Sequence, residues 1–176
     1  MRTPLNIVVF LFAILLALST DTRAKLAVQS ENQFLYNKAL RVSLESMDDE
    51  WGEFNLTENG ARAPIHFHNM IVRKDPAITN GLDSRFGEYR VTYLDDASLI
   101  RQWNRLQKQF AILAVGSVSR SEGRLKITIG LLWVSYRRSQ LFFGLDSWAD
   151  VYFRFDEDNR KYIVDNVELV DRHQKL

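Results

Sequence analysis

Cysteine is absent from this 176-residue chain. Its absence excludes disulfides, thiolate metal sites, cysteine nucleophiles and a lipidated N-terminal cysteine. A small secreted domain without such staples has to be held by its apolar core. No apolar run reaches the roughly 20 residues that span a bilayer. No serine stands in a Gly-x-Ser-x-Gly elbow and no glycine loop is suited to cradling phosphate. Hydrolase and nucleotide-binding classes therefore lack a motif, and no cofactor is implied. Internal repeats and low-complexity stretches are missing as well.

The N-terminus carries the most informative stretch. Met1 and Arg2 lead into an apolar run from Ile7 to Leu18, and small or polar residues follow as far as Ala24. A basic start, about a dozen apolar residues and a small residue at the end make an export signal. The cut is expected after Ser19 or after Ala24, so residues 1–24 read as a signal peptide and residues 25–176 as one α+β domain. The compartment that follows is periplasmic or extracellular, with a membrane partner only through an uncleaved signal.

The full chain carries 23 basic and 22 acidic residues. Taking away Arg2, Arg23 and Asp21 balances the two signs. A domain without net charge has no global field to hold a polyanion, so nucleic acid is not an expected partner. At 46% apolar and 12% aromatic the composition is globular. Asn55-Leu56-Thr57 is an acceptor sequon of the kind chance also supplies.

Hydrophobic spacing predicts a helix from Ser30 to about Met47. Phe34, Leu35, Ala39, Val42 and Met47 form its stripe, widened by Leu40 and Leu44, and Ser30 serves as N-cap. Asp48 to Ala63 reads as a polar loop with a short helix around Glu50 to Phe54. Ile65 to Val72 and Phe86 to Tyr93 alternate as strands, joined by a connection from Lys74 to Arg85. Asp95 caps a helix to about Gln107 whose stripe is Leu99, Trp103, Leu106 and Phe110.

Four long strands follow: Phe110 to Ser119, Arg124 to Tyr136, Leu141 to Phe155 and Lys161 to Val170. A bulge is expected near Gly144 to Ser147, and an acidic turn at Asp156 to Asn159. The fold class is therefore α+β: an N-terminal helix, two strands, a helix, then a four-stranded antiparallel meander forming a curved sheet with helices over one face.

The segment from Trp148 through Asp150, Tyr152 and Arg154 to Phe155, then Lys161 to Val164, resembles the closing hairpin of the nuclear transport factor 2-like superfamily. The pattern resemblance covers most of residues 30 to 171. It implies a strongly curved sheet with helices in its concave face around a cone-shaped pocket, and association through the sheet into a homodimer. A cystatin-like fold, one helix across a meander, is the competing architecture.

Two constellations could carry chemistry. His66 and His68, two apart on an expected strand, would face one metal ion, although the third ligand such a site needs is missing nearby. His173 lies in the terminal tail. Asp150, Tyr152 and Arg154 share one strand face, while Val151, Phe153 and Phe155 take the other. The resemblance implies a pocket enzyme of the isomerase or dehydratase kind, as in ketosteroid isomerase and scytalone dehydratase. Asp150, Tyr152 or His66 would be its acid or base, with Tyr36 assisting and Trp103, Trp133 and Arg154 lining the pocket around a small apolar ligand.

The bland alternative is a solvated stripe held by cross-strand ion pairs. Eight basic residues between Arg101 and Arg138 face eight acidic ones between Gln140 and Asp171. The aromatics Trp103, Trp133, Phe142, Phe143, Phe153 and Phe155 read as core. Leu141-Phe142-Phe143, however, puts large apolar groups on both faces of one strand, so one face needs a cover. The leading expectation is an exported, non-catalytic binding or interaction module with an open apolar patch near Phe142.

Overall fold

The computed structural model describes residues 29–52, 65–106 and 108–171. The export signal expected over residues 1–24, most of the loop after the first helix, the Asn55 sequon and His173 lie outside the described residues. The chain divides by internal contacts at Phe34/Leu35. Of the first unit only residues 29–34 are described, and they are helical, with Phe34 exposed.

In the second unit, residues 35–51 are helical and form α1. The helix runs past the expected end at Met47, and Asp48 to Trp51 belong to it rather than to a loop. The reason is one more buried residue on the stripe. Leu40, Leu44, Met47 and Trp51 are spaced four, three and four apart and all are buried. Gly52 N–H then donates to the Asp48 carbonyl at 2.8 Å, completing the last turn. Phe34, expected at the head of the stripe, is 48% exposed.

Among the described residues, eight strands follow in one curved, unclosed sheet: β1 (Asn69–Arg73), β2 (Arg85–Phe86), β3 (Tyr89–Leu94), β4 (Phe110–Val115), β5 (Ser119–Ser121), β6 (Arg124–Arg137), β7 (Gln140–Asp156) and β8 (Lys161–Asp171). The second helix, α2 (Asp96–Leu106), lies between β3 and β4. The spatial order is β2-β3-β1-β4-β6-β7-β8, with β5 paired on β6.

β1 is parallel to both neighbours, β3 and β4. From β4 through β6 and β7 to β8 every pairing is antiparallel. The curved sheet is as expected, while β5 and the parallel pairing of β1 are additions to the expected meander. β3–α2–β4 is a crossover that carries α2 past β1. The expected strand from Phe110 to Ser119 is broken after Val115. At Gly116 the chain passes so close to β6 that a Cβ there would sit 3.1 Å from the Thr128 carbonyl oxygen.

Alternation along the strands sorts the core into two clusters. On one face Ala111, Leu113, Ile127, Ile129, Leu131, Ala149, Val151 and Phe153 pack with Leu35, Leu40, Leu44 and Met47 of α1. On the other, Ile112, Val134, Phe110, Leu132 and Phe143 pack with Leu99 of α2. The helices thus lie against opposite faces, which corrects the expectation that both cover one. The crossover requires it, because α2 must pass over β1 on the side that α1 leaves free.

α2 begins as its sequence predicts. Ser98 N–H donates to Asp95 Oδ1 at 2.8 Å, and hydrogen bonds from the Ser98 side chain first and this capping N–H second hold the Asp95 carboxyl below its ordinary range. Arg73 on β1 fixes the same end. Its guanidinium donates twice to Asp96, both at 3.0 Å, and lies 4.5 Å from the centre of the Phe143 ring. Among the described residues no helix is long and apolar enough to cross a membrane.

Candidate functional site

The polar stripe on β7 is where alternation placed it, and its groups are engaged with one another. Asp150 is 8% exposed. It accepts from Lys126 Nζ at 3.1 Å and from the Thr128 hydroxyl, both on the neighbouring strand β6. Tyr152 is half-buried, with the Arg124 guanidinium 4.5 Å and the Lys126 ammonium 6.0 Å from its ring centre. Arg124 in turn meets Asp165 at 3.0 Å, and Arg154 reaches the same carboxylate at 3.5 Å. These are the cross-strand pairs that the opposed charge blocks foretold.

Tyr36, the helper named from the sequence, is not part of this stripe. It sits in the α1 core on the other side of the sheet, where its hydroxyl accepts the Val118 N–H at 3.3 Å. Trp133 packs on that same core, whereas Trp103 is half-buried on α2. The sequence-named acid, helper and lining aromatics are therefore distributed over both faces. On the α1 face, Leu35, Leu40, Leu44, Met47, Phe67 and Phe153 are all buried in one cluster.

The histidines are not on a strand. Ile65 to His68 form a turn into β1, closed by Asn69 N–H donating to the His66 carbonyl at 3.2 Å. The turn shifts the alternation by one residue, so Ile65 and Phe67 join Met70 and Val72 in a single cluster. His66 and His68 are both exposed. His68 Nε2 lies 3.2 Å from Glu88 Oε2, and its Nδ1 lies 3.7 Å from Asp48 Oδ2. The two carboxylates address opposite ring nitrogens, so they do not converge on one point. Among the described residues no three histidine or carboxylate groups are placed to hold a metal ion.

Beside His68 stands Tyr89, its ring 5.2 Å away and its hydroxyl donating to Asp48 Oδ2 at 3.2 Å. Burial, reinforced by the Asp48 charge and that hydrogen bond, pushes the Tyr89 hydroxyl up to about 12. Tyr93 is also raised, by burial first and then by Asp83. Asp48, His68, Glu88 and Tyr89 together tie the end of α1 to the β2–β3 turn.

The far end of the β6–β7 hairpin is where the sequence placed an open apolar patch near Phe142, without the arginines beside it. Ser135, Arg137, Arg138 and Phe142 line an open hollow of about 400 Å³. Ser135 and Phe142 are cross-strand partners, and Arg137 shares their side of the ladder by alternation. Phe142 is 47% exposed. Two residues on, at Gly144, a Cβ would meet no heavy atom within 4 Å, so this side stays open up to its partner Trp133. The signal was the run Leu141-Phe142-Phe143. Phe143 went under α2, and Phe142 was left uncovered. Phe155, also read as core, is 48% exposed, with the edge of its ring against Tyr162 at 5.2 Å.

No protein-family model, no curated protein and no solved structure matches this chain.

Proposed function

We propose that this chain is an exported, non-catalytic binding module whose binding element is the end of the β6–β7 hairpin. One observation carries the reading: Phe142 stands 47% exposed over an open hollow of about 400 Å³. The hollow falls in the size range of ligand pockets, roughly 300–1,000 Å³, and an aromatic beside basic groups on its lining supports a binding reading. The non-catalytic part is supported by Asp150, whose carboxylate already serves Lys126 and Thr128, and by Tyr36, which lies across the sheet from it. Export is supported by the basic and apolar composition of residues 1–24.

The test is a thermal-shift screen of apolar small molecules against the purified chain and its Phe142→Ser variant. A ligand at 100 times its dissociation constant adds about 2.7 kcal/mol, a shift of several degrees. A hit on the parent that disappears in the variant is the expected result. Hits that survive Phe142→Ser place the binding elsewhere and overturn the reading. Sequencing the N-terminus of exported material tests the export proposal, with a new terminus after Ser19 or Ala24 expected.

A second reading, self-association through the sheet, is favoured by Leu145. It is 41% exposed on the α2 face of β7, leaning over Gly130, where an added Cβ would sit 3.3 Å from Leu145 Cδ1. Sedimentation across a concentration range, with Leu145→Ser as the control, separates a dimer from a monomer.

A further inference from the structure

We infer that the hollow at the end of the β6–β7 hairpin takes an organic anion, a phosphate or carboxylate joined to an apolar body. The inference rests on the reading of this hairpin as the binding element and names the ligand class.

The charge argument is the first support. Between Glu122 and Asp146 the sequence contains no acidic residue, and Arg137 and Arg138 fall at the hairpin end of that interval. Two arginines and a serine hydroxyl line the hollow itself. Arg137 has a further interaction of its own, so Arg138 at the turn is the residue assigned to the anion. Guanidinium groups match the planar, multidentate geometry of carboxylate and phosphate oxygens. Phe142 and the open side at Gly144 then supply a surface for the apolar portion. Two copies meeting symmetrically through this end would bring their arginines together, so like-charge repulsion argues against a second chain as the occupant.

The backbone is the second support. Arg137 pairs with Gln140, leaving Arg138 and Ser139 as a two-residue loop. Both have positive φ, 49° and 62°. Such loops favour Asn-Gly, which adopts this conformation at low cost. The tight two-residue loop places the Arg138 backbone at the rim of the hollow that this residue lines.

The test measures binding of 1-naphthyl phosphate to the full chain by its own fluorescence, beside neutral 1-naphthol and inorganic phosphate. The expected result is that naphthyl phosphate binds more tightly than either fragment. Arg138→Gln should weaken it about tenfold, the effect of losing one charge-assisted contact, and Phe142→Ser should weaken it comparably. Arg138→Lys should recover part of the loss, and Arg154→Gln, on the distant stripe, should change nothing.

Phosphatidylglycerol vesicles distinguish the source of the anion. Displacement of the probe by them, and not by phosphatidylcholine vesicles, supports a bilayer headgroup; displacement by neither, with the probe still bound, supports a free amphiphile. If 1-naphthol binds as tightly as its phosphate and is lost in Phe142→Ser, the anion inference falls while the hairpin reading survives. If Arg138→Gln and Phe142→Ser both bind the phosphate as the parent does, both fall.

Discussion

Lys126 Nζ lies 3.1 Å from Asp150 Oδ2 across the β6–β7 ladder, and the carboxylate it meets is 8% exposed. A carboxylate this far from water depends on its partners. Removing the ammonium with Lys126→Met leaves Asp150 with the Thr128 hydroxyl alone, and a loss of about 1–3 kcal/mol is expected. Asp150→Ala should cost a similar amount, but the double variant should cost less than the sum, with a coupling of about 1 kcal/mol. Urea unfolding of the four proteins checks this. Strict additivity would mean that the pair contributes nothing.

Tyr89 sets an alkaline limit on stability. Its folded-state hydroxyl titrates near 12, above the ordinary tyrosine value, because burial and Asp48 disfavour the phenolate. A group whose folded pKa is raised contributes fully below its unfolded pKa, about 10. That contribution fades as pH climbs through the folded value. The urea midpoint should therefore fall between about pH 10 and pH 12. Tyr89→Phe should fall less steeply over that interval, the remaining slope belonging to groups such as Tyr93, which is also raised.

Phe153 and Phe155 share one strand face but not one environment. Phe153 is fully buried and Phe155 is 48% exposed. Phe153→Ala should cost about 3–5 kcal/mol through lost burial and the cavity it leaves. Phe155→Ala should cost about 1 kcal/mol, the value of its ring contact with Tyr162. Equal losses would show that the core continues to the end of the hairpin.

The turn at Arg138 and Ser139 predicts a separation of stability from binding. Ser139→Gly removes the steric cost of a positive φ at 62° and should raise stability by about 1 kcal/mol. Because Arg138 stays in place, affinity for 1-naphthyl phosphate should be kept. Thermal melts beside a binding isotherm provide both readings from one preparation.

What the sequence made legible was local. The Asp95 cap of α2 is a short-range feature and is present, whereas of the expected stripe only Leu99 is buried, Trp103 and Leu106 being half-buried and Phe110 falling on β4. The bulge expected between Gly144 and Ser147 is found at Asp146, skipped where Leu131 pairs with Ser147 and Leu132 with Leu145. The polar stripe at Asp150 and its cross-strand pairs also followed from period-two alternation. The parallel pairing of β1 with β3 and β4 did not, since no local signal encodes which distant strands become neighbours.

Nor did the turn at His66 to Asn69 announce itself. It contains neither glycine nor proline, and a single-residue shift is invisible in a pattern that alternates on both sides of it. The hollow at Phe142 was half legible. The doubled phenylalanine said that one face lacked a cover, but which face α2 would take depended on the crossover.

The measurement that most directly tests where this chain binds is a ¹⁵N chemical-shift map of the purified protein titrated with 1-naphthyl phosphate. The account predicts shifts concentrated at Ser135, Arg138, Phe142 and Gly144, with the stripe at Lys126, Asp150 and Tyr152 unmoved. Shifts centred on that stripe, or none at the hairpin end, would contradict it.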